Sequence, residues 1–243
     1  DYNNDGWTDL IVVGEWTPIK FYKNIDGKFS EDTSLIDVDS TRGWWYDIVA
    51  EDFDKDGDMD LVIGNLGNNY KYQTSGDETF DIFYNDFDQN NTGDIVLSYY
   101  NDGEQYPLRG RQCSSEQIPA IKMKFQDYDA FSIATLEDVY TEPALENSLH
   151  YFSKTFSSVY LENTGNSFNM SKLPPLTQLS SINKILKKDI DKDGYIDIVV
   201  SGNMYNSEVE TPRNDASVGV YLKFTPDFGF EAVPVSYTHL RAH

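Results

Sequence analysis

The sequence has few of the residues that build disulfides, transition-metal centres or nucleic-acid surfaces. Its single cysteine, Cys113, excludes an internal disulfide framework and a cysteine-based zinc site. Three histidines leave little material for a His-rich metal centre. Lys and Arg total 19 against 41 Asp and Glu, and the resulting net charge of −22 argues against a nucleic-acid partner because it repels phosphate. No apolar run approaches the ~18 residues of a membrane helix, so no transmembrane segment is predicted.

The remaining composition is that of a folded protein. Hydrophobic residues make up 39% and aromatic residues 14% of the 243 residues, which is enough to build a core. The chain starts at Asp1, inside the repeat described next, so we expect a native amino terminus and any export signal to lie upstream. Residues 235–243 resemble a translated sequencing adapter, and we expect them to be a non-native tail.

One pattern recurs four times along the chain: Asp-x-Asp/Asn-x-Asp/Asn-Gly-x-x-Asp, followed by an aliphatic run. The copies begin at Asp1, Asp52, Asp86 and Asp189. The third copy is the weakest because Asn91 replaces the turn glycine, although asparagine is the next-best residue in a left-handed conformation. A repeated motif of this kind indicates a repeat architecture.

The spacing of the repeat suits a hard cation. Oxygens at positions 1, 3 and 5 converge, glycine at position 6 allows the sharp turn, position 7 offers its backbone carbonyl, and position 9 adds a carboxylate. Such a set favours Ca²⁺ over Mg²⁺. We therefore predict up to four structural Ca²⁺ sites, with ligands from Asp1, Asn3, Asp5, Trp7 and Asp9; Asp52, Asp54, Asp56, Asp58 and Asp60; Asp86, Asp88, Asn90, Thr92 and Asp94; and Asp189, Asp191, Asp193, Tyr195 and Asp197.

Two other interpretations of these loops need comparison. An EF-hand opens in the same way but needs Glu at position 12 and flanking helices. Position 12 is Val12, Ile63, Leu97 or Val200, each in a run that is typical of a buried strand, so the EF-hand is excluded. The second interpretation, ordinary Asp-Gly turns without metal, stays open, above all for the third copy.

Strand-like runs surround the loops. Residues 44–50, 80–84 and 182–186 precede a loop, and residues 21–29, 159–168 and 220–228 follow as hairpin-like segments. The repeating unit of strand, loop, strand and hairpin is typical of a β-propeller blade. We therefore predict an all-β fold, a β-propeller fragment of about four blades with calcium-binding loops, over residues 1–234.

The long interval between the third and fourth copies breaks the pattern. Residues 115–128 and 130–151 have helix-like composition, and the segment that starts at Thr135 resembles a capping box. We predict a small helical insertion at about 112–150 on one blade. An additional, metal-free blade is the alternative.

The loops before aliphatic strands resemble the FG-GAP or VCBS repeats of integrin-α-type β-propellers. More narrowly, the segments at 43–45, 64–70, 109–117 and 208–216 are similar to VCBS-repeat proteins of Bacteroidota and the cartilage-acidic-protein group, which often carries an ASPIC/UnbV domain; no such domain is visible here. The resemblance implies an exported, often cell-surface protein. Extracellular modules bind Ca²⁺ at ~0.1–1 mM, which agrees with that expectation.

Several other residues have a possible chemical role. Arg109 and Arg111 could clamp a carboxylate or an acidic sugar, but the simpler expectation is internal pairing with the surplus Asp and Glu. Nothing in the sequence places Cys113 beside His150 as a nucleophile and base. Of Trp44 and Trp45, one is expected in the core, while the other could stack on a sugar.

The sequence supports two functions. The first is a secreted or surface-displayed, calcium-stabilised β-propeller that binds an unknown protein or glycan. The second is a polysaccharide-active enzyme, a lyase or hydrolase, on the same scaffold. An enzyme needs a convergent acid–base pair, which the sequence does not reveal, so the binding module is favoured.

Overall fold

The computed structural model describes residues 1–207 and 211–233, so the predicted tail at 235–243 and part of the segment at 208–216 lie outside the described residues. The strands follow the chain in this order: β1 (Leu10–Val12), β2 (Glu15–Thr17), β3 (Lys20–Ile25), β4 (Lys28–Asp32), β5 (Gly43–Trp44), β6 (Asp47–Glu51), β7 (Asp60–Gly64), β8 (Phe80–Asn85), β9 (Asp94–Asn101), β10 (Glu104–Pro107), β11 (Leu149–Ser153), β12 (Val159–Asn163), β13 (Phe168–Lys172), β14 (Lys184–Lys188), β15 (Asp197–Ser201), β16 (Val220–Thr225) and β17 (Gly229–Val233).

The helices are short and concentrated in one stretch. They are α1 (Arg111–Gln117), α2 (Ala120–Lys124), α3 (Tyr128–Ser132), α4 (Leu136–Tyr140) and α5 (Glu142–Glu146), with 3₁₀ turns at Val38–Thr41 and Pro175–Leu179. The chain forms two compact units. The first contains Asp1–Lys71 and the chain from Phe156 onward, and the second contains Tyr72–Thr155.

The first unit contains three antiparallel sheets built on one plan. The first sheet has the order β1-β3-β4, the second β6-β7-β12-β13 and the fourth β14-β15-β16-β17; the third sheet, β10-β9-β8-β11, belongs to the second unit. Strands β2 and β5 form a separate two-stranded ribbon. In the second and fourth sheets, two strands flank an Asp-rich loop and a hairpin completes the sheet. All-β architecture and the predicted hairpins are thus confirmed in this unit.

The second sheet is buried on both faces. Leu61 and Ile63 of β7 pack into a core shared with β3 of the first sheet, whereas Val62 packs into a core shared with β15 and β16 of the fourth. Alternate residues of a strand point to opposite faces, so a strand between two layers has to be apolar at every position. This explains why β7 is buried throughout its length.

The segment after β7 joins neighbouring parts of the first unit. Asn65 is fully buried; its backbone N–H donates to Ser158 Oγ at 2.9 Å, and its side-chain Oδ1 accepts from the backbone N–H of Trp44 at 3.1 Å. The chain approaches Ile182 so closely at Gly64 that a Cβ there would lie 2.4 Å from the Ile182 carbonyl oxygen. The segment 64–70, which resembles VCBS-repeat proteins in sequence, therefore has a structural role that the sequence did not reveal.

The second unit has a different construction. Its sheet has the order β10-β9-β8-β11, and the residues between β10 and β11 form the five helices. Apolar side chains from the helices, including Phe131, Leu136 and Val139, form a core with Phe83 and Val96 of the sheet. The capping box at Thr135 is present, because Thr135 Oγ1 accepts from Asp138 N–H and the Asp138 carboxylate accepts from Thr135 N–H.

This unit departs from the repeating plan that the sequence suggested. The strand that follows the helices, β11, pairs with β8 at the edge of the sheet and does not extend the β9–β10 hairpin. An edge strand has unpaired N–H and C=O groups, and β11 satisfies those of β8. The helices end at Glu146, so the predicted boundary at 150 falls inside β11.

Candidate metal-binding loops

The four repeats adopt the same backbone conformation. We number them loop 1 (residues 1–9), loop 2 (52–60), loop 3 (86–94) and loop 4 (189–197). Position 6 has a positive φ in each, between 66° and 100°, and the residue in loop 3 is Asn91, as predicted. Position 4 is also left-handed, at 55–65°, although no glycine occurs there: the residues are Asn4, Lys55, Gln89 and Lys192. The two left-handed residues fold each loop tightly around its carboxylates.

Side-chain oxygens within each loop accept backbone N–H groups in a fixed order. The carboxylate at position 1 accepts from position 6 at 2.8–3.1 Å. The oxygen at position 3 accepts from position 5 at 3.0–3.2 Å. The oxygen at position 5 accepts from position 7 at 2.7–3.0 Å. These Asx-type bonds orient the three side chains and leave further lone pairs available.

The carboxylate at position 9 anchors the loop to the sheet. It accepts from the N–H of position 2 in all four loops, at 3.0–3.2 Å. In loops 1, 2 and 4 its other oxygen accepts from a hairpin strand, through the N–H of Asn24, Asn163 or Phe224. Asp60 and Asp197 are fully buried. The sequence predicted a ligand at this position but missed its bonds to the hairpin.

Burial changes the electrostatics of these anchors. Desolvation raises the pKa of Asp60 to about 6, although three hydrogen bonds, including one from the Tyr160 hydroxyl at 2.9 Å, favour the charged form. Burial also raises the pKa of Asp94, and the nearby Asp88 and Asp86 charges raise it further. A nearby cation would favour the ionised form of both carboxyls.

Three groups of acidic side chains lie close enough to share one cation. Within each group, ligand atoms lie within 4.8 Å of one another; the groups are Asp52, Asp54 and Asp56; Asp86, Asp88 and Asp94; and Asp189, Asp191 and Asp197. Asp60 and Asp193 are outside these groups, and loop 1 has Asn3 at position 3.

The carboxylate at position 1 provides a test of fit for a cation. Oδ1 of Asp52 and Oδ1 of Asp189 are buried and accept no hydrogen bond from any described residue. A buried carboxylate oxygen without a partner is costly. The donor set in each loop consists only of hard oxygens, which is the set that Ca²⁺ prefers, so the residues present fit this ion.

The loops differ in the charge that faces them from the adjacent strand. The first residue after loops 1, 2 and 4 pairs with a residue of the adjacent hairpin strand: Tyr22, Leu161 or Leu222, respectively. The next residue of that strand therefore lies beside position 9 of the loop. It is Lys23 at loop 1, Glu162 at loop 2 and Lys223 at loop 4. Lys223 Nζ pairs with Asp191 and, at 2.9 Å, with Asp193. Lys23 Nζ lies 3.3 Å from Asp5. A lysine of the adjacent strand thus pairs with a carboxylate of loop 1 and of loop 4, whereas the adjacent strand places a carboxylate beside loop 2.

These partners change the pKa values of the loop carboxyls in opposite directions. Lys223 is the largest cause of the lowered pKa of Asp193. In loop 2, burial raises the pKa of Asp54, and the charges of Asp56, Asp52 and Glu162 raise it further. The negative charge of loop 2 is therefore less compensated by its adjacent strand than that of loops 1 and 4.

The remaining candidates lie outside the loops. Arg111 was expected to pair with Asp or Glu. Its described hydrogen bonds go instead to the backbone carbonyls of Lys122, Phe125 and Gln126. His150 contacts Asp81 at 2.6 Å and stacks on Phe83. The expectation that one tryptophan is core is confirmed, since Trp45 is 2% exposed, while Trp44 packs edge-on against Trp16 and Phe156.

Comparison with known protein families supports the assignment of the Asp-rich loops to a repeat. The family described as FG-GAP-like repeat matches residues 1–63, which contain loops 1 and 2. No curated protein matches the chain. In the part of the chain that the structure describes, no helix has the length and apolarity to cross a membrane.

Proposed function

We propose that this chain is a calcium-stabilised β-propeller module that works outside the cell or on its surface and binds a protein or glycan. The observation that carries the proposal is the shared geometry of the four loops, together with the buried, unpartnered Oδ1 atoms of Asp52 and Asp189. The FG-GAP-like match supports the same function, because such repeats occur in propeller modules of adhesion proteins.

The stacked sheets support a propeller. In a propeller, blades of four antiparallel strands pack face to face, and the second sheet shares one core with the first sheet and another with the fourth. The loops join the first two strands of the second and fourth sheets. Calcium would hold this connection and compensate the clustered carboxylates, so its role in the proposal is structural.

An extracellular setting follows from the expected affinity. Each loop offers a few carboxylates and a backbone carbonyl, a set of the kind that binds Ca²⁺ at ~0.1–1 mM in extracellular modules. Binding of that strength would stabilise the folded state by about 1.4–2.7 kcal/mol per site at about 10 mM calcium. Cytosolic calcium is far too dilute to have this effect.

The contrast in facing charge ranks the sites. Loop 2 faces Glu162, and no described lysine forms an ion pair with its carboxylates, so it gains more from a divalent cation than loops 1 and 4 do. Loops 1 and 4 have to displace Lys23 or Lys223 from a carboxylate before an ion can use it. We therefore expect loop 2 to bind Ca²⁺ more tightly than loops 1 and 4.

A calcium titration of thermal unfolding tests the proposal. The whole chain is unfolded with chelator and at increasing Ca²⁺, with Mg²⁺ as the control ion, and followed by far-ultraviolet circular dichroism. We expect the unfolding midpoint to rise across the millimolar range with Ca²⁺ and to change little with Mg²⁺. A folded protein whose midpoint is the same with chelator and with 10 mM Ca²⁺ would overturn the proposal.

A further inference from the structure

A pocket in the second unit is lined by residues outside the four loops. It has a volume of about 330 Å³. Tyr99 and Tyr106 face each other across β9 and β10, with ring centroids 6.3 Å apart, and Tyr128 contributes a third ring. Phe131 and Ala134, both nearly buried, complete the lining with apolar surface. This volume lies within the range of ligand pockets.

The tyrosines keep part of their surface available to a ligand. Tyr128 is 62% exposed and Tyr99 is 37% exposed. A tyrosine ring presents an apolar face and a polar hydroxyl, so a group of three can contact the C–H face of a sugar ring and also hydrogen-bond its hydroxyls. A flat, partly hydroxylated ligand suits this surface better than an aliphatic one.

Arg111 supplies a fixed positive charge at the same pocket. It is 8% exposed, and Nε donates to Phe125 O at 2.6 Å while Nη2 donates to Gln126 O at 3.1 Å. Its guanidinium carbon lies 5.1 Å from the centroid of the Tyr128 ring. The described hydrogen bonds of Arg111 use Nε and Nη2, and their acceptors are carbonyls, so they hold the group in place without neutralising its charge.

The charge of the pocket is opposite to that of the chain. Its lining includes Arg109 and Arg111 and contains neither Asp nor Glu among the described residues, although the chain has 41 acidic residues. A guanidinium N–H makes a charge-assisted hydrogen bond to a carboxylate that is stronger than a bond to a neutral acceptor. The surroundings therefore favour an anionic ligand over a neutral one.

We propose that this pocket binds the uronic-acid unit of an acidic saccharide. The sugar ring lies against the tyrosines, and its carboxylate accepts from Nη1 of Arg111. The inference rests on the proposed binding function, for which it names a ligand class, but its residues are not those of the calcium loops.

The experiment uses isothermal titration of the whole chain with a trisaccharide of galacturonic acid and with the neutral galactose trisaccharide. We expect the acidic probe to bind about tenfold more tightly, because the charged hydrogen bond is absent from the neutral one. Tyr128→Ala should weaken binding of the acidic probe about fivefold or more. Tyr151→Ala, which removes a tyrosine that is 45% exposed in β11, is the matched control.

Arg111→Ala can disturb the fold, because Arg111 donates to carbonyls of the helical segment. The test therefore relies on the two probes and on Tyr128→Ala, with circular dichroism to verify folding. Equal affinity for both probes, or binding that Tyr128→Ala leaves unchanged, overturns the inference. The calcium dependence of unfolding is measured on the same samples. Calcium stabilisation without saccharide binding rejects this inference alone, whereas saccharide binding without calcium stabilisation rejects the proposed calcium role alone.

Discussion

Asn4 Nδ2 donates a 2.7 Å hydrogen bond to Oδ1 of Asp58, which links position 4 of loop 1 to position 7 of loop 2. The same relationship recurs one loop further on, because Lys55, at position 4 of loop 2, lies 4.2 Å from the ring centroid of Tyr195, at position 7 of loop 4. Loops 1, 2 and 4 are therefore connected in a row. An ion that orders one loop would also restrain its neighbour.

The link between the first two loops can be measured by a double-mutant cycle. We expect Asn4→Ala and Asp58→Ala to show a coupling free energy of about 0.5–1 kcal/mol in urea unfolding at saturating calcium, since the hydrogen bond is exposed. In the control cycle, Asp58→Ala is replaced by Glu146→Ala. Glu146 is an exposed residue whose carboxylate has no described side-chain contact. Additive effects in the first cycle would contradict a connected row.

The two roles of the loop carboxylates can be separated by comparing position 9 with position 3. Asp60→Ala leaves the N–H groups of Phe53 and Asn163 and the Tyr160 hydroxyl without their acceptor. We expect a loss of about 3–5 kcal/mol in the free energy of unfolding even with chelator present, because buried donors lose their partner.

Asp54→Ala provides the contrast. The pKa of Asp54 is raised and its contacts are local, so we expect its removal to change stability in chelator by less than about 0.5 kcal/mol. The same substitution should abolish the calcium-dependent stabilisation from loop 2. Urea unfolding of both variants, with and without calcium, makes the comparison. If Asp60→Ala were harmful only with calcium, position 9 would be a ligand and not an anchor.

Lys223, in the strand β16 beside loop 4, should weaken calcium binding in that loop. Lys223→Ala removes the ammonium group that pairs with Asp191 and Asp193, and we expect the loop 4 dissociation constant for Ca²⁺ to fall about threefold to tenfold, a range set by solvent screening. Glu162→Lys should weaken loop 2 by a similar factor. Calorimetric calcium titration measures both, with substitution of the exposed Lys172 in β13, Lys172→Ala, as the control. Unchanged calcium binding in Lys223→Ala would show that the ammonium does not compete with the ion.

The close approach at Gly64 leaves no room for a side chain. Gly64→Ala would place Cβ 2.4 Å from the Ile182 carbonyl oxygen, whereas Gly14→Ala meets Thr17 Cγ2 at an ordinary 3.5 Å. We expect Gly64→Ala to lower the free energy of unfolding by about 2–3 kcal/mol, typical of overpacking, and Gly14→Ala to have little effect. Urea unfolding of both variants tests this, and equal stability would rule out a tight junction between β7 and Ile182.

The local geometry of the loops could be predicted because it depends on neighbouring residues. Glycine or Asn91 at position 6 and the Asx bonds are encoded within nine residues, and the hairpins follow from short-range turn signals. The capping box at Thr135 was recognised for the same reason. Each of these features can be identified without knowing which strands pair.

The features that the sequence did not reveal depend on distant pairings. The bond from Asn163 N–H to Asp60 joins residues separated by 103 positions, and no local signal indicates it. The facing charge of Glu162 or Lys223 becomes visible only when the strand register is known. The pairing of β11 with β8, which separates the second unit from the repeating plan, is equally remote in sequence.

The long excursion between β7 and β12 has a consequence for how the molecule acquires its fold. The second sheet is incomplete until β12 reaches β7, and Tyr72–Thr155 lie between them. Closing so long a loop is slow, whereas the local helices and the β8–β9 hairpin can form early. During synthesis β6 and β7 would emerge well before their hairpin partners, with a strand edge exposed. The edge of β7 therefore stays unpaired until β12 has been synthesised, and during that interval it is prone to aggregate.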